Sequence, residues 1–237
     1  IELLKRDIKV KYRKSVLGVL WSVLNPLFMM IILSVVFFNS LQNNVENYPT
    51  YIFSGQLIYN FFSEATTSSM SAIVDNASLI KKIYVTEISV CSCEDMLSMI
   101  NLMATLSALF CVMLVLRIDL SYRLYEGVVA LILLTLFSTG VGTGITAIAV
   151  KFRDMMHLYS VFLTALMYLC PIIYTMSFLP ERVQKIVMLN PLTHFLIIFR
   201  ECVLYEENIS IKILGVGVLE TFIYARNRNL CFWKETG

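Results

Sequence analysis

Charge is scarce in this chain. Asp, Glu, Lys and Arg make up 15% of its 237 residues, against about a quarter in an ordinary soluble domain. Histidine is scarcer still, with only His157 and His194 present. The sequence contains no GxxxxGK[ST] phosphate loop, no HExxH, no GxSxG and no Cys/His cluster at metal-ligand spacing. Nucleotide hydrolysis, metal-assisted hydrolysis and nucleophile-elbow chemistry therefore lack their usual residues. The six cysteines, Cys91, Cys93, Cys111, Cys170, Cys202 and Cys231, mostly fall in or beside apolar stretches, where a thiol behaves as a small hydrophobe. Catalysis, cofactor binding and metal binding by this chain are not expected, and nothing in it points to nucleic acid.

What the chain has in excess is apolar: hydrophobic residues make up 58% and the mean hydropathy is +0.74. A spanning helix needs roughly 20 mainly apolar residues, because the hydrocarbon core is about 30 Å thick and each residue rises about 1.5 Å. No charged side chain lies between Lys14 and Glu46, Asp95 and Arg117, Glu126 and Lys151, or Asp154 and Glu181. These intervals predict spans at about 23–41, 96–116, 127–149 and 156–176. A further candidate at 51–72 contains Glu64, and a sixth at 209–225 contains Lys212 and Glu220. The expectation is an all-α integral membrane protein, a single transmembrane domain over 1–237 with six transmembrane helices, or five if the last does not cross.

Cytoplasmic flanks of membrane proteins are rich in Lys and Arg. With the amino terminus inside, thirteen of the 19 basic residues fall on the inner side, and the first outer loop, 42–50, has none. Both termini are therefore expected in the cytoplasm. The apolar run after Lys14 is far longer than a signal-peptide core of about 7–15 residues, so it reads as a retained span.

Residues 1–22 carry six basic side chains around a face of Leu4, Ile8, Tyr12, Val16 and Val19, a pattern suited to a helix lying along the membrane surface. Because the chain opens on Ile1 rather than methionine, that helix is expected to extend upstream. Asn25-Pro26 is predicted to cap and start the first span. The same Asn-Pro-Leu triplet returns at 190–192, between apolar pieces too short to cross. Two short helices dipping in from the outer side account for 180–205, a plain surface loop being the alternative. Gly140, Gly142 and Gly144 form a run of small residues whose Gly140/Gly144 pair has the spacing of close helix approach, and Pro171 predicts a kink or break in the fifth span.

Glu64 and Glu220 are ionisable groups inside predicted spans, which makes them candidates for either a functional contact or a structural hydrogen bond. Residues 75–94 form the longest predicted cytoplasmic segment between spans. Within them, 75–84 read as a short helix with apolar and basic faces, although Lys81 and Lys82 are also what the inside-positive bias alone supplies.

The stretch 7–27, DIKVKYRKSVLGVLWSVLNPL, resembles the opening of permeases of the polysaccharide and teichoic-acid export group of type-2 ABC transporters. So do NASLIKKIY at 76–84, KFRD at 151–154, PIIY at 171–174 and NPL at 190–192. The resemblance implies a homodimer of six-span subunits in the bacterial cytoplasmic (inner) membrane and an amino-terminal interface helix. It implies a coupling helix carrying Asn76, Ser78, Leu79, Lys81, Lys82 and Tyr84, and outer gate helices with Pro180, Asn190, Pro191 and Phe195. A separate cytoplasmic ABC ATPase subunit, which binds ATP and Mg, is implied as the partner.

A glycan's hydroxyls each cost roughly 4–8 kcal/mol to move unpartnered into an alkane-like medium, so a lipid-linked polysaccharide needs a lined conduit. Aromatic walls with polar tips suit sugars. Tyr51, Phe53, Tyr59, Phe61 and Phe62, with Glu64, Tyr168 and Tyr174, are the expected lining. A drug or lipid exporter of the same type is the nearest alternative. A membrane transferase or secondary transporter would need catalytic clusters, or repeated halves and more buried charge.

Overall fold

The computed structural model describes residues 20–37, 47–75, 87–118, 124–152 and 154–205, with positions 215, 217–219 and 221 beyond them. Among these residues the regular structure is helical: α1 Leu20–Val36, α2 Tyr48–Asp75, α3 Glu87–Val115, α4 Leu124–Lys151, α5 Met155–Leu169, a 3-10 turn Met176–Phe178, α6 Glu181–Met188, α7 Pro191–Arg200 and a π turn Glu201–Tyr205. The predicted interface helix up to residue 19, the coupling helix at 76–84 and most of 209–225 lie outside the described residues.

Among the described residues, two helices, α3 over Met96–Val115 and α4 over Tyr125–Lys151, are long and apolar enough to cross a membrane, or three if the bent pair α6 and α7 counts as one. The six-span expectation is met in full length and apolarity only by these. Helices α1 and α5 are shorter, with 17 and 15 residues. The 28 residues of α2 reach about 42 Å at 1.5 Å each, but its composition is too polar for a plain lipid-facing span. Its position explains that polarity, since α2 is the central helix and packs against α1, α3, α4, α5 and α7.

Three boundaries depart from the sequence expectation. Pro26 lies inside α1 and is buried there, so it costs the helix one internal hydrogen bond without starting or stopping it. Helix α3 begins at Glu87 rather than at 96, its polar first turns extending the apolar part. The fifth helix ends at Leu169 rather than 176. Cys170 is extended, at φ −82 and ψ 139, which is the conformation the ring of Pro171 imposes on the residue before it.

Without a hydrophobic force between helices in lipid, packing and interhelical hydrogen bonds hold such bundles. The centre is aromatic: Phe62 of α2 stacks on Phe137 of α4 at 5.7 Å, and Phe137 meets Phe195 of α7 at 5.3 Å. A close approach of α4 to α2 falls on Gly142 and not on Gly144, one member of the predicted Gly140/Gly144 pair. A Cβ on Gly142 would stand 3.3 Å from Ser69 Cβ and 3.5 Å from Thr66 Cα, whereas one on Gly144 meets nothing within 4 Å.

Gly142→Leu is therefore expected to destabilise the purified protein by about 1–3 kcal/mol through overpacking, and Gly144→Leu to change little. Thermal unfolding of the two variants in one detergent checks this; equal midpoints would refute the packing assignment.

Candidate functional site

The break after α5 leaves residues 171–174 without helical hydrogen bonding in an apolar surrounding, where unpaired backbone oxygens are costly. Side chains of other helices supply the donors. Arg200, at the end of α7 and 4% exposed, donates from Nη1 to the Pro171 carbonyl at 2.6 Å and from Nη2 to the Ile172 carbonyl at 3.2 Å. Tyr48 Oη donates to the Ile173 carbonyl at 2.9 Å, and Tyr51 Oη reaches the Tyr174 carbonyl at 2.9 Å and that of Pro171 at 3.3 Å. Asn190 caps α7 through its Oδ1, which accepts from Leu192 N at 3.1 Å, while its Nδ2 lies 3.1 Å from Cys170 Sγ.

Arg200 is fixed to α2 as well. Its Nη2 donates to the Tyr51 carbonyl at 2.8 Å and its Nε to Ser54 Oγ at 3.2 Å. The guanidinium carbon lies 3.5 Å from the Tyr51 ring centroid, a cation–π contact. Gly55 makes the room: a Cβ there would stand 2.6 Å from Arg200 Nη2 and 3.2 Å from Ile172 Cα. Further along, α5 is tied to α2 by Tyr59 Oη donating to the Leu163 carbonyl at 2.8 Å and by Tyr159 Oη to Thr66 Oγ1 at 2.7 Å.

A second feature lies on the opposite side of α2. Asn60 is exposed, and Ser63, Glu64, Thr67, Ser68 and Ser71 are half-buried. Asn60, Glu64, Thr67 and Ser71 recur at steps of four, three and four, so they share one helix face. At its edge Asn101 Nδ2 of α3 donates to Glu64 Oε1 at 2.6 Å. The hydroxyls of Thr67 and Ser71 donate to the helix backbone at Ser63 and Ser68, which leaves their lone pairs able to accept.

The residues expected to line a pathway lie in different surroundings. Tyr51, Phe53, Tyr59, Phe61 and Phe62 are buried within the subunit, because α2 is covered on most sides and large rings fill the gaps between helices. They do not reach its outer surface. Tyr168 is 66% exposed, and half-buried Tyr174 donates its hydroxyl to the Tyr168 carbonyl at 2.8 Å. Among the expected gate residues, Pro180 is exposed, Pro191 is the first residue of α7 and Phe195 is buried in the aromatic centre. The expected coupling residues Asn76, Ser78, Leu79, Lys81, Lys82 and Tyr84, and Glu220, lie outside the described residues.

Sequence reading missed Arg200, Tyr48, Ser54, Gly55, Asn60 and Asn101. Arg200 had a signal: it is the one basic residue in the apolar run 191–205. The signal for Asn101 was an amide in a charge-free interval.

A family model described as "ABC-2 type transporter" matches residues 1–204. The O-antigen export system permease protein RfbA of Klebsiella pneumoniae is 27% identical over 233 residues, covering 92% of this chain and 90% of that protein. RfbA of Myxococcus xanthus is 28% identical over 218 residues, covering 88% and 81%. The polysialic acid transport protein KpsM of Escherichia coli is 24% identical over 225 residues, covering 91% and 86%.

Gly55→Ala is expected to cost about 1–3 kcal/mol, because the methyl group meets the Ile172 backbone as well as the guanidinium. Thermal unfolding beside Gly144→Ala, which meets open space, measures it; indistinguishable midpoints would show that Arg200 and residue 172 yield freely.

Proposed function

The chain belongs to the ABC-2 type transporter family, and from that premise we propose that it is the membrane-spanning permease subunit of an ATP-driven exporter of a lipid-linked polysaccharide. Its relatives are named for O-antigen export and for polysialic acid transport, which supports a glycan cargo of that class. Having no phosphate loop of its own, the subunit takes its driving force from a separate cytoplasmic ATPase subunit, received through the segment 76–84. Both termini are cytoplasmic, which puts the start of α2 and the α6–α7 pair at the outer end and Asp75 at the inner end.

The observation that carries the reading is the face Asn60–Glu64–Thr67–Ser71. Polar side chains are not left against lipid within a spanning segment, where they are costly; they meet other protein or a water-filled passage. A second copy of the chain facing this one places the two stripes across a shared conduit. Their amide, carboxylate and hydroxyl groups then replace part of the hydration of passing sugars, each hydroxyl of which needs a partner. An apolar drug or lipid would gain nothing from such a wall, which favours the glycan.

Asn60→Leu combined with Thr67→Leu, in cells supplying the ATPase subunit and the cognate glycan, is expected to lower surface glycan by roughly tenfold, the factor that about 1.4 kcal/mol represents. Subunit abundance and ATPase association should be unchanged. Surface staining against total glycan reads the outcome, and undiminished export with both leucines in place would remove the stripe from the pathway.

A further inference from the structure

Arg200 presents a problem that satisfied carbonyls alone do not solve. Burying a guanidinium is expensive unless it is fully hydrogen-bonded, and the partners here are neutral oxygens: the carbonyls of Tyr51, Pro171 and Ile172, and the Ser54 hydroxyl. Hydroxyl donors suffice for the neighbouring carbonyls of Ile173 and Tyr174, which Tyr48 and Tyr51 serve. What the planar, five-donor fork of arginine adds is simultaneous reach. It comes from the last residue of α7 and holds the broken end of α5 and the first turns of α2 in one geometry. The Tyr51 ring lies over it, and Gly55 removes the side chain that would stand in its place.

The elements so joined differ in their other attachments. Helix α6 is mostly exposed, with Val187 as its buried residue, and it turns 97° into α7. The break itself has no helical ladder to hold its shape. Arg200 and Asn190 thus hold residues 170–172 from the two ends of the ten-residue α7.

We propose that Arg200 is a positioning residue of the transport cycle: it locks the α6–α7 pair and the broken end of α5 to the head of α2, so that the outer end of the subunit stays sealed until α2 moves. The location of that seal rests on the exporter reading and its orientation. The clasp itself does not. A cation held by several oxygens releases cooperatively, since displacement of α2 removes the Tyr51 carbonyl, the Tyr51 ring and Ser54 together. That gives the outer end two discrete states rather than a continuous flexing.

Cys170, buried at the break, reports on the clasp without any cargo. In the permease–ATPase complex with the other five cysteines replaced by alanine, the reaction of Cys170 with N-ethylmaleimide is expected to be slow with Arg200 in place. Arg200→Met should speed it by on the order of tenfold or more, and Arg200→Lys, which keeps the charge but not the fork, by an intermediate factor. Vesicles carrying the Met variant should lose entrapped sucrose without ATP while those of the parent stay sealed. Unchanged labelling in Arg200→Met overturns the proposal, and so does faster labelling without leakage, which would leave Arg200 a packing residue only. If the Met complex does not assemble, Arg200→Lys decides: parental labelling and tight vesicles overturn the proposal, whereas faster labelling and leakage support it. Neither readout needs the glycan, so failure of the parent complex to export glycan would sink the cargo reading and leave the clasp standing.

Discussion

Backbone oxygens released by a proline in the middle of an apolar bundle have to find donors, and most of the architecture at this end of the subunit follows from that requirement. Pro171 stops α5, and the carbonyls of residues 171–174 are then met by Arg200, Tyr48 and Tyr51. Those donors come from the end of α7 and the beginning of α2. One local break therefore fixes how three helices that are distant in sequence meet. It also fixes Gly55, because the guanidinium occupies the space of its side chain.

The same economy of partners explains α2. As the central helix it is sheathed by five others, so it does not need the apolarity that α3 and α4 carry. Its serines and threonines return their hydroxyl hydrogens to the carbonyl three or four residues back, as Ser54, Thr66 and Ser69 do. Small residues on that surface let neighbours come close, as Ser69 does opposite Gly142, while the large rings of Phe53, Phe61 and Phe62 fill the wider gaps. What is left over is a face from Asn60 to Ser71 that none of the described helices fully covers. Its chemistry is wrong for lipid and right for a hydroxyl-bearing passenger.

The helical class, the apolar parts of α3 and α4, the break at Pro171 and the bent pair around Asn190-Pro191 were legible in the sequence. Each depends on a local rule: the length of a charge-free run, the ring of a proline, or an Asn-Pro start with its cap. The packing of the aromatic side chains was not legible, for a reason of the opposite kind. Tyr51, Tyr59 and Phe62 look like a pathway wall when α2 is taken as an isolated helix. Only the positions of α4, α5 and α7 around it reveal that those rings face inward. Likewise, the run of small residues around Gly142 did not tell Gly142 from Gly144, because spacing along one helix does not say which side its neighbour is on.

By itself, then, the sequence determined that the chain is a membrane-bound set of helices without a phosphate loop, and where several of those helices stop, since hydropathy, capping and proline geometry act within a few residues. Which side of α2 is open, and that Arg200 belongs with Tyr51 and Pro171 rather than at the surface, was decided only by the tertiary structure. A guanidinium chooses its partners by distance in space, and the oxygens it holds are as many as 149 positions away along the chain.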